Sequence, residues 1–359
     1  MEQKIAIFIG IEEDSDIVTG GERQLQELIK GLKRHGFEII YVNLDEALNK
    51  IEDLVLKYDR KNIYVFSDYS KRFSLLKINH TCRKKYELNV ICTVGAFYFD
   101  YRTSKLKNFI DYIVSYYYLA PANLIFTTGK AVEKKLRNMG CRKKKIANIY
   151  PAIRESLIEE SEKNVSAKND EKRKIVLTVG RFHPVKGYDY LLDAIKFCKK
   201  LTDVHFLLVG DYERKPDDYY NHIKRRIEEE GIEDRITIYG KTKDDVELAS
   251  LYRNCWCYLH TSVWETSPIT VCEPLLFGKP VIATDVGGTS EYLLNQVDSI
   301  LVEAKTGNVI ADAIKCMYYD EMLYKKLKKN AVIRSDQYKG RKWHDVGEEY
   351  YNVIMDNNK

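Results

Sequence analysis

The chain has 359 residues, 45% of them hydrophobic, with 58 basic and 53 acidic side chains and a formal net charge of +5. That length exceeds a single hydrophobic core and calls for two domains of roughly 150 to 200 residues. The charge excess is too small to call for nucleic acid as a partner, and no apolar run reaches the length of a membrane span or of a secretory signal core.

In chain order, short apolar runs alternate with amphipathic stretches. Runs at 5–9, 38–42, 63–66, 90–94 and 124–127, with a helix near 22–34, predict a parallel sheet covered by helices. The stretch "EESEKNVSAKNDEKRK" (159–174) has few apolar residues and no periodicity, so it reads as an interdomain linker. The pattern restarts with runs at 175–179, 204–209, 236–239, 257–260 and 281–283 and helices near 188–199 and 218–230. Residues 342–357 read as one closing helix. The expected fold is therefore two doubly wound α/β domains, the first over 1–158 and completed by about 337–359, the second over 175–336. Eight cysteines, at 82, 92, 141, 198, 255, 257, 272 and 316, form neither a Cys-x-x-Cys pair nor a zinc pattern with histidine. They read as reduced core residues of a cytoplasmic protein.

Several short motifs fail. "GKT" (240–242) lacks the earlier glycine of a phosphate-binding P-loop, since position 235 is arginine, and no Gly-x-Gly-x-x-Gly follows the first strand. "DSD" (14–16) is more simply a solvated loop than a metal site. No metal or cofactor is expected.

Four stretches carry chemistry. In "TGGERQLQELIKGLKRHGF" (19–37), Gly20 and Gly21 open a helix, where backbone N–H groups can approach an anion. In "VGRFHPVKGYDYLLDAI" (179–195), Arg181 and Lys186 follow a strand at the edge where doubly wound sheets bind ligands, one a planar fork and the other a point charge suited to a diphosphate. In "YLHTSVWETSPITVCEPLLFGKPVIATDVGGTSEYL" (258–293), a strand ends near His260 and a helix is predicted from about 269 to 277. Glu265 lies in the loop, the free N–H groups near 267–270 form the helix's anion-binding end, and Glu273 sits one turn further in, where the helix dipole favours a carboxylate that accepts hydrogen bonds from a sugar diol. "GKPVIATDVGGTSEY" (278–292) brings a Gly-Gly turn to the same edge.

This ordered set resembles the family-4 group of retaining glycosyltransferases, and the likeness covers nearly the whole chain: the Gly-Gly loop, "GRFHPVKGYDYLLDAI", the Glu-x7-Glu pair Glu265/Glu273, "FGKPVIATDVGGTSEYL" and the closing helix with Trp343. The resemblance implies a GT-B fold, two Rossmann-like domains facing a deep interdomain cleft with the C-terminal helix crossing back to the first domain. It implies a nucleotide-sugar donor, a UDP-sugar first and GDP-mannose second, and metal-independent transfer to a glycan or lipid-linked acceptor. Arg181 and Lys186 would meet the diphosphate, Glu265 the transferred sugar and Glu273 the ribose, within a donor set of Gly20, Gly21, Arg181, Lys186, Gly210, Lys241, Glu265, Ser267, Pro268, Ile269, Thr270 and Glu273. Catalysis would fall to Glu265, Arg181 and Lys186. One departure stands out: many relatives carry a first-domain histidine where "ICTVGAFYFDYR" (91–102) has Gly95 and Ala96, with Tyr98, Asp100 and Arg102 as substitutes.

Basic clusters at 83–85, 105–107 and 142–145, with three tyrosines at 116–118, suit either an anionic membrane surface or ordinary solvated charge. The first option would place a cytoplasmic enzyme peripherally on the inner face of the membrane. A sugar-nucleotide epimerase and a silent nucleotide-sugar-binding subunit are the alternative functions.

Overall fold

The computed structural model describes residues 3–11, 20–95, 105–165, 173–211 and 218–357. They divide into two compact units, Met1–Pro151 with Trp343–Lys359, and Ala152–Lys342. The Asp14–Asp16 loop and the proposed substitutes Tyr98, Asp100 and Arg102 lie outside the described residues.

The first unit is a six-stranded sheet built from β1 (Lys4–Ile9), β2 (Phe37–Val42), β3 (Ile63–Asp68), β4 (Asn89–Val94), β5 (Leu124–Thr127) and β6 (Ile146–Asn148), in the order β2-β1-β3-β4-β5-β6 and parallel throughout. Its strands are near-continuous apolar runs because helices cover both faces; Ile5, Ala6, Ile7, Phe8 and Ile9 are all fully buried. The closing helix Trp343–Asp356 belongs here, as expected. Arg34 Nε donates to Glu348 Oε1 at 2.8 Å, the His35 and Tyr351 rings stack at 3.6 Å, and Arg23 lies over the buried Trp343 ring.

The second unit repeats the plan with β7 (Lys174–Val179), β8 (Val204–Val209), β9 (Ile236–Gly240), β10 (Cys257–His260), β11 (Val281–Thr284) and β12 (Ser299–Val302). The order β9-β8-β7-β10-β11-β12, all parallel, is the doubly wound dinucleotide-binding order 3-2-1-4-5-6, with its topological switch point between β7 and β10. Ligands in such sheets bind beyond the carboxyl ends of the strands flanking that point.

The expected linker begins inside structure. Glu155–Glu162 is a helix of the second unit, with Leu157 fully buried and Arg253 Nη2 donating to the Glu160 carbonyl at 2.5 Å. Its single apolar stripe is too short to register as periodicity among so many charges. At the other end, the second unit runs on through the helix Glu321–Lys339 to Lys342, a few residues past the boundary near 336 read from sequence. Six of the eight cysteines are buried and Cys141 is half-buried, but Cys316 is exposed and is not a core residue.

Candidate donor site at the switch point

The loop after β7 is shaped by its own sequence. His183 Nδ1 accepts from the Val185 N–H at 3.1 Å, Pro184 pre-sets the first position of a single turn over Pro184–Lys186, and Gly187 leaves it with φ of +67°. A side chain at Gly187 would also meet the Thr261 carbonyl, since an added Cβ would lie 2.0 Å from it. That close approach stitches this loop to the one after β10. The Val263 N–H donates to the Val185 carbonyl at 2.9 Å, and Thr261 Oγ1 donates to the Lys186 carbonyl at 2.9 Å.

The two loops thereby bring Lys186 and Glu265 together. Lys186 Nζ lies 2.7 Å from Glu265 Oε1, with the side chains 19% and 13% exposed. Ser262 Oγ donates to the same oxygen at 2.7 Å, and His260 Nε2 lies 3.2 Å from it without hydrogen-bond alignment. On the far side, Gly287 (φ +55°) lets the "DVGGTSEY" turn press on the Glu265 backbone, an added Cβ being 1.7 Å from the Glu265 carbonyl. The second Gly-Gly turn thus braces Glu265.

Burial opposes ionisation of Glu265, but Lys186, and after it His260, outweigh burial and hold the carboxyl well below the usual carboxylate range. Burial also pushes the His260 ring below its ordinary value, against the opposing pull of Glu265. Because the Glu265 pKa is depressed on folding, its contribution to stability is complete above the unfolded value near 4.5 and is lost as pH falls toward the folded value. Chemical denaturation from pH 7 to pH 3 should therefore show the wild-type advantage over Glu265→Gln shrinking below about pH 4.5. A constant difference across that range would deny the pairing.

Glu273 is placed differently from the sequence-based expectation. Instead of one helix over 269–277, the chain makes two single turns, Ile269–Val271 and Pro274–Phe277. Pro274 is the cause: it has no N–H to donate to residue 270, and its ring would collide with that carbonyl. The helix dipole invoked for Glu273 is therefore absent, and the Ile269 N–H is already used by the Ser267 carbonyl at 2.9 Å. What holds Glu273 is a network. The residue is 3% exposed, its Oε2 accepts from Tyr252 Oη at 2.7 Å, and its Oε1 pairs with Arg154 Nη2 at 3.2 Å. Arg154 also pairs with Asp245. Each carboxylate oxygen retains acceptor capacity beyond one bond.

Of the other residues named from sequence, Arg181 is exposed just beyond β7 and makes no ion pair among the described residues. Gly210 and Lys241 follow β8 and β9, where the Gly210 N–H donates to the Gly240 carbonyl at 2.8 Å and Lys241 is exposed. Ser267 Oγ is hydrogen-bonded to Tyr292 Oη, Pro268 is buried, and Ile269 and Thr270 are half-buried. Gly20 and Gly21 stand in the first unit at the start of the helix Gly20–Arg34, and an added Cβ at Gly20 would meet open space. The sequence reading missed four partners: His260, Ser262, Tyr252 and Arg154. Ser262 was within reach, three residues before Glu265 in the same loop; Arg154 was not.

Two six-stranded parallel sheets with flanking helices place the chain in the GT-B structural class. Solved structures agree. The chain is similar to Anabaena HepE in complex with UDP and glucose (TM-score 0.73, 18% identity, 98% of this chain and 99% of that one) and to sucrose-phosphate synthase of Thermosynechococcus elongatus (TM-score 0.77, 18% identity, 99% of each). The family model of glycosyl transferases group 1 matches residues 159–334, which lie within the second unit. Among relatives, an uncharacterized glycosyltransferase of Methanocaldococcus jannaschii is 23% identical over 313 residues, covering 83% of this chain and 76% of its own. The N,N'-diacetylbacillosaminyl-diphospho-undecaprenol alpha-1,3-N-acetylgalactosaminyltransferase of Campylobacter jejuni is 24% identical over 356 residues, covering 87% and 90%.

Proposed function

We propose that the chain is a retaining, metal-independent glycosyltransferase of the family-4 kind, transferring a hexose from a UDP-sugar, or failing that GDP-mannose, to a glycan or lipid-linked acceptor in glycoconjugate or polysaccharide synthesis. The observation that carries this reading is the half-buried Lys186–Glu265 pair at the switch point of the second sheet, with the exposed cation Arg181 on the same loop as Lys186. Cleaving a sugar–phosphate bond builds positive charge on the sugar and negative charge on the departing diphosphate. Lys186 and Arg181 answer the second charge and the ionised Glu265 the first. With those cations in place, the leaving phosphate takes the acceptor's proton on the face from which it departs, and the configuration is retained. The relatives' names add support: a UDP complex for HepE and an alpha linkage to a diphospho-undecaprenol acceptor for the Campylobacter enzyme. The Campylobacter enzyme is named as a transferase, which leaves the epimerase and the silent subunit without an observation in their favour. A lipid-linked acceptor would bring the enzyme to the cytoplasmic face of a bilayer.

Thermal unfolding in the presence of UDP, UDP-sugars, GDP and GDP-mannose tests the donor. A hundredfold excess over Kd adds about 2.7 kcal/mol, a rise of several degrees for a chain of this size, and UDP compounds should give the larger rise. EDTA should leave both the rise and the turnover intact. No shift with any of the four ligand classes would remove the donor assignment.

A further inference from the structure

The helix Lys105–Leu119 of the first unit is inverted. Leu106, Phe109, Ile110, Ile113, Tyr116 and Tyr117 recur at spacings of three and four and so share one face. All six are exposed, from 38% for Ile113 to 69% for Leu106. The opposite face, which points inward, carries Asp111 and Ser115. Asp111 Oδ1 accepts from Arg72 Nη2 at 2.7 Å in an ion pair only 3–4% exposed, Ser115 Oγ bonds Tyr69 Oη, and the Tyr117 carbonyl faces His80 Nε2 at 2.9 Å. Rolling the helix over would leave a buried charge without its partner, so the apolar face is held outward.

The charges around that face select what covers it. On this helix and its neighbour Arg72–Lys84, every exposed ionisable side chain with a formal charge is a cation: Lys77, Arg83, Lys84, Lys105 and Lys107. The one carboxylate of the pair is the buried Asp111. Gly140 lies beside the Tyr116 ring, and the exposed Arg142, Lys143 and Lys144 follow it, so both ends of the apolar stripe are basic. A second copy docking symmetrically on this face would set cation against cation. At 15 residues the helix is too short to cross a bilayer but is built to lie in its surface, and among the described residues no helix is long and apolar enough to span one.

We propose that this face of the helix Lys105–Leu119 seats the first unit on an anionic lipid bilayer, the apolar stripe entering the headgroup boundary and the flanking cations meeting lipid phosphates. The inference locates the membrane contact that the lipid-linked acceptor requires and rests on that reading for its use in the reaction, not for the binding itself.

Vesicle sedimentation of the full chain, without donor or acceptor, separates the two. Phosphatidylglycerol-containing vesicles should bind at least tenfold better than pure phosphatidylcholine, and the difference should fall with salt. Ile113→Glu should cut binding tenfold or more, and Lys84→Ser and Lys105→Ser about fivefold each. Phe109→Ser, at a still more exposed position, decides the matter if Ile113→Glu does not unfold cooperatively. No binding to anionic vesicles, equal binding to both vesicle types, or unchanged binding by both apolar variants overturns the proposal. So does a dimer in solution that Ile113→Glu converts to monomer. The UDP shift is unaffected by any of these results.

Discussion

Lys186→Ala should cost about 100- to 1,000-fold in turnover, the usual consequence of removing one fixed charge from a transition state in which charge grows on the leaving group. The structure adds a second consequence. Lys186 is the principal partner of a largely buried carboxylate, so the variant leaves Glu265 with Ser262 and His260. Breaking a buried pair from one side destabilises on the order of 3 kcal/mol, because the remaining charge keeps its desolvation cost. The double variant Lys186→Ala/Glu265→Gln removes that charge and should regain most of the lost stability while turnover stays low. A double-mutant cycle read in both denaturation midpoint and kcat separates the structural part of the pair from the catalytic part. Arg181→Ala, by contrast, should lower turnover with little change in stability, since Arg181 is exposed and unpaired among the described residues. Near-normal kcat in both single variants would remove the diphosphate assignment, and recovery of kcat in the double variant would make Lys186 a purely structural residue.

How much of this was legible before folding follows from what each element needs. The strands were readable because parallel strands buried on both faces are short apolar runs; 124–127, 204–209 and 257–260 coincide with β5, β8 and β10. The loop after β7 was readable because its turn is made by consecutive residues, His183 to Gly187. The helix expected over 269–277 was not, because its apolar content outweighed Pro274 in the reading while the backbone obeys the proline. Arg154 was beyond reach, since 119 positions separate it from Glu273 and nothing local marks an arginine as the partner of a distant carboxylate. The inverted helix shows the same limit. Its six apolar residues at helical spacing describe a core-facing stripe until Arg72 is known to face Asp111, and only the fold supplies that.

The two glutamates of "WETSPITVCE" should separate cleanly in a paired experiment. Glu265→Gln should lower turnover steeply while leaving affinity for free UDP nearly unchanged, because a nucleoside diphosphate has no sugar for Glu265 to touch and the carboxylate matters more as charge develops. The substitution also frees Lys186 from its partner, so any change in UDP affinity should be toward tighter binding. Glu273→Gln should weaken donor and free UDP alike, since a neutral amide accepts hydrogen bonds from a ribose diol less strongly than a carboxylate. Its network complicates the reading in a testable way: the amide weakens the bonds from Tyr252 and Arg154 as well, so some loss of stability should accompany the loss of affinity. Tyr252→Phe separates the two effects. It removes the phenolic donor to Glu273 Oε2 but keeps the carboxylate, and should cost roughly 1 kcal/mol of stability while preserving most UDP binding. Calorimetry with UDP, run beside a rate assay on intact donor, reads all three variants. If Glu265→Gln abolished UDP binding while Glu273→Gln bound UDP normally, the roles of the two carboxylates would be exchanged. If Tyr252→Phe lost UDP binding as completely as Glu273→Gln, Glu273 would act by holding the Tyr252–Arg154 network in place rather than by touching the ribose.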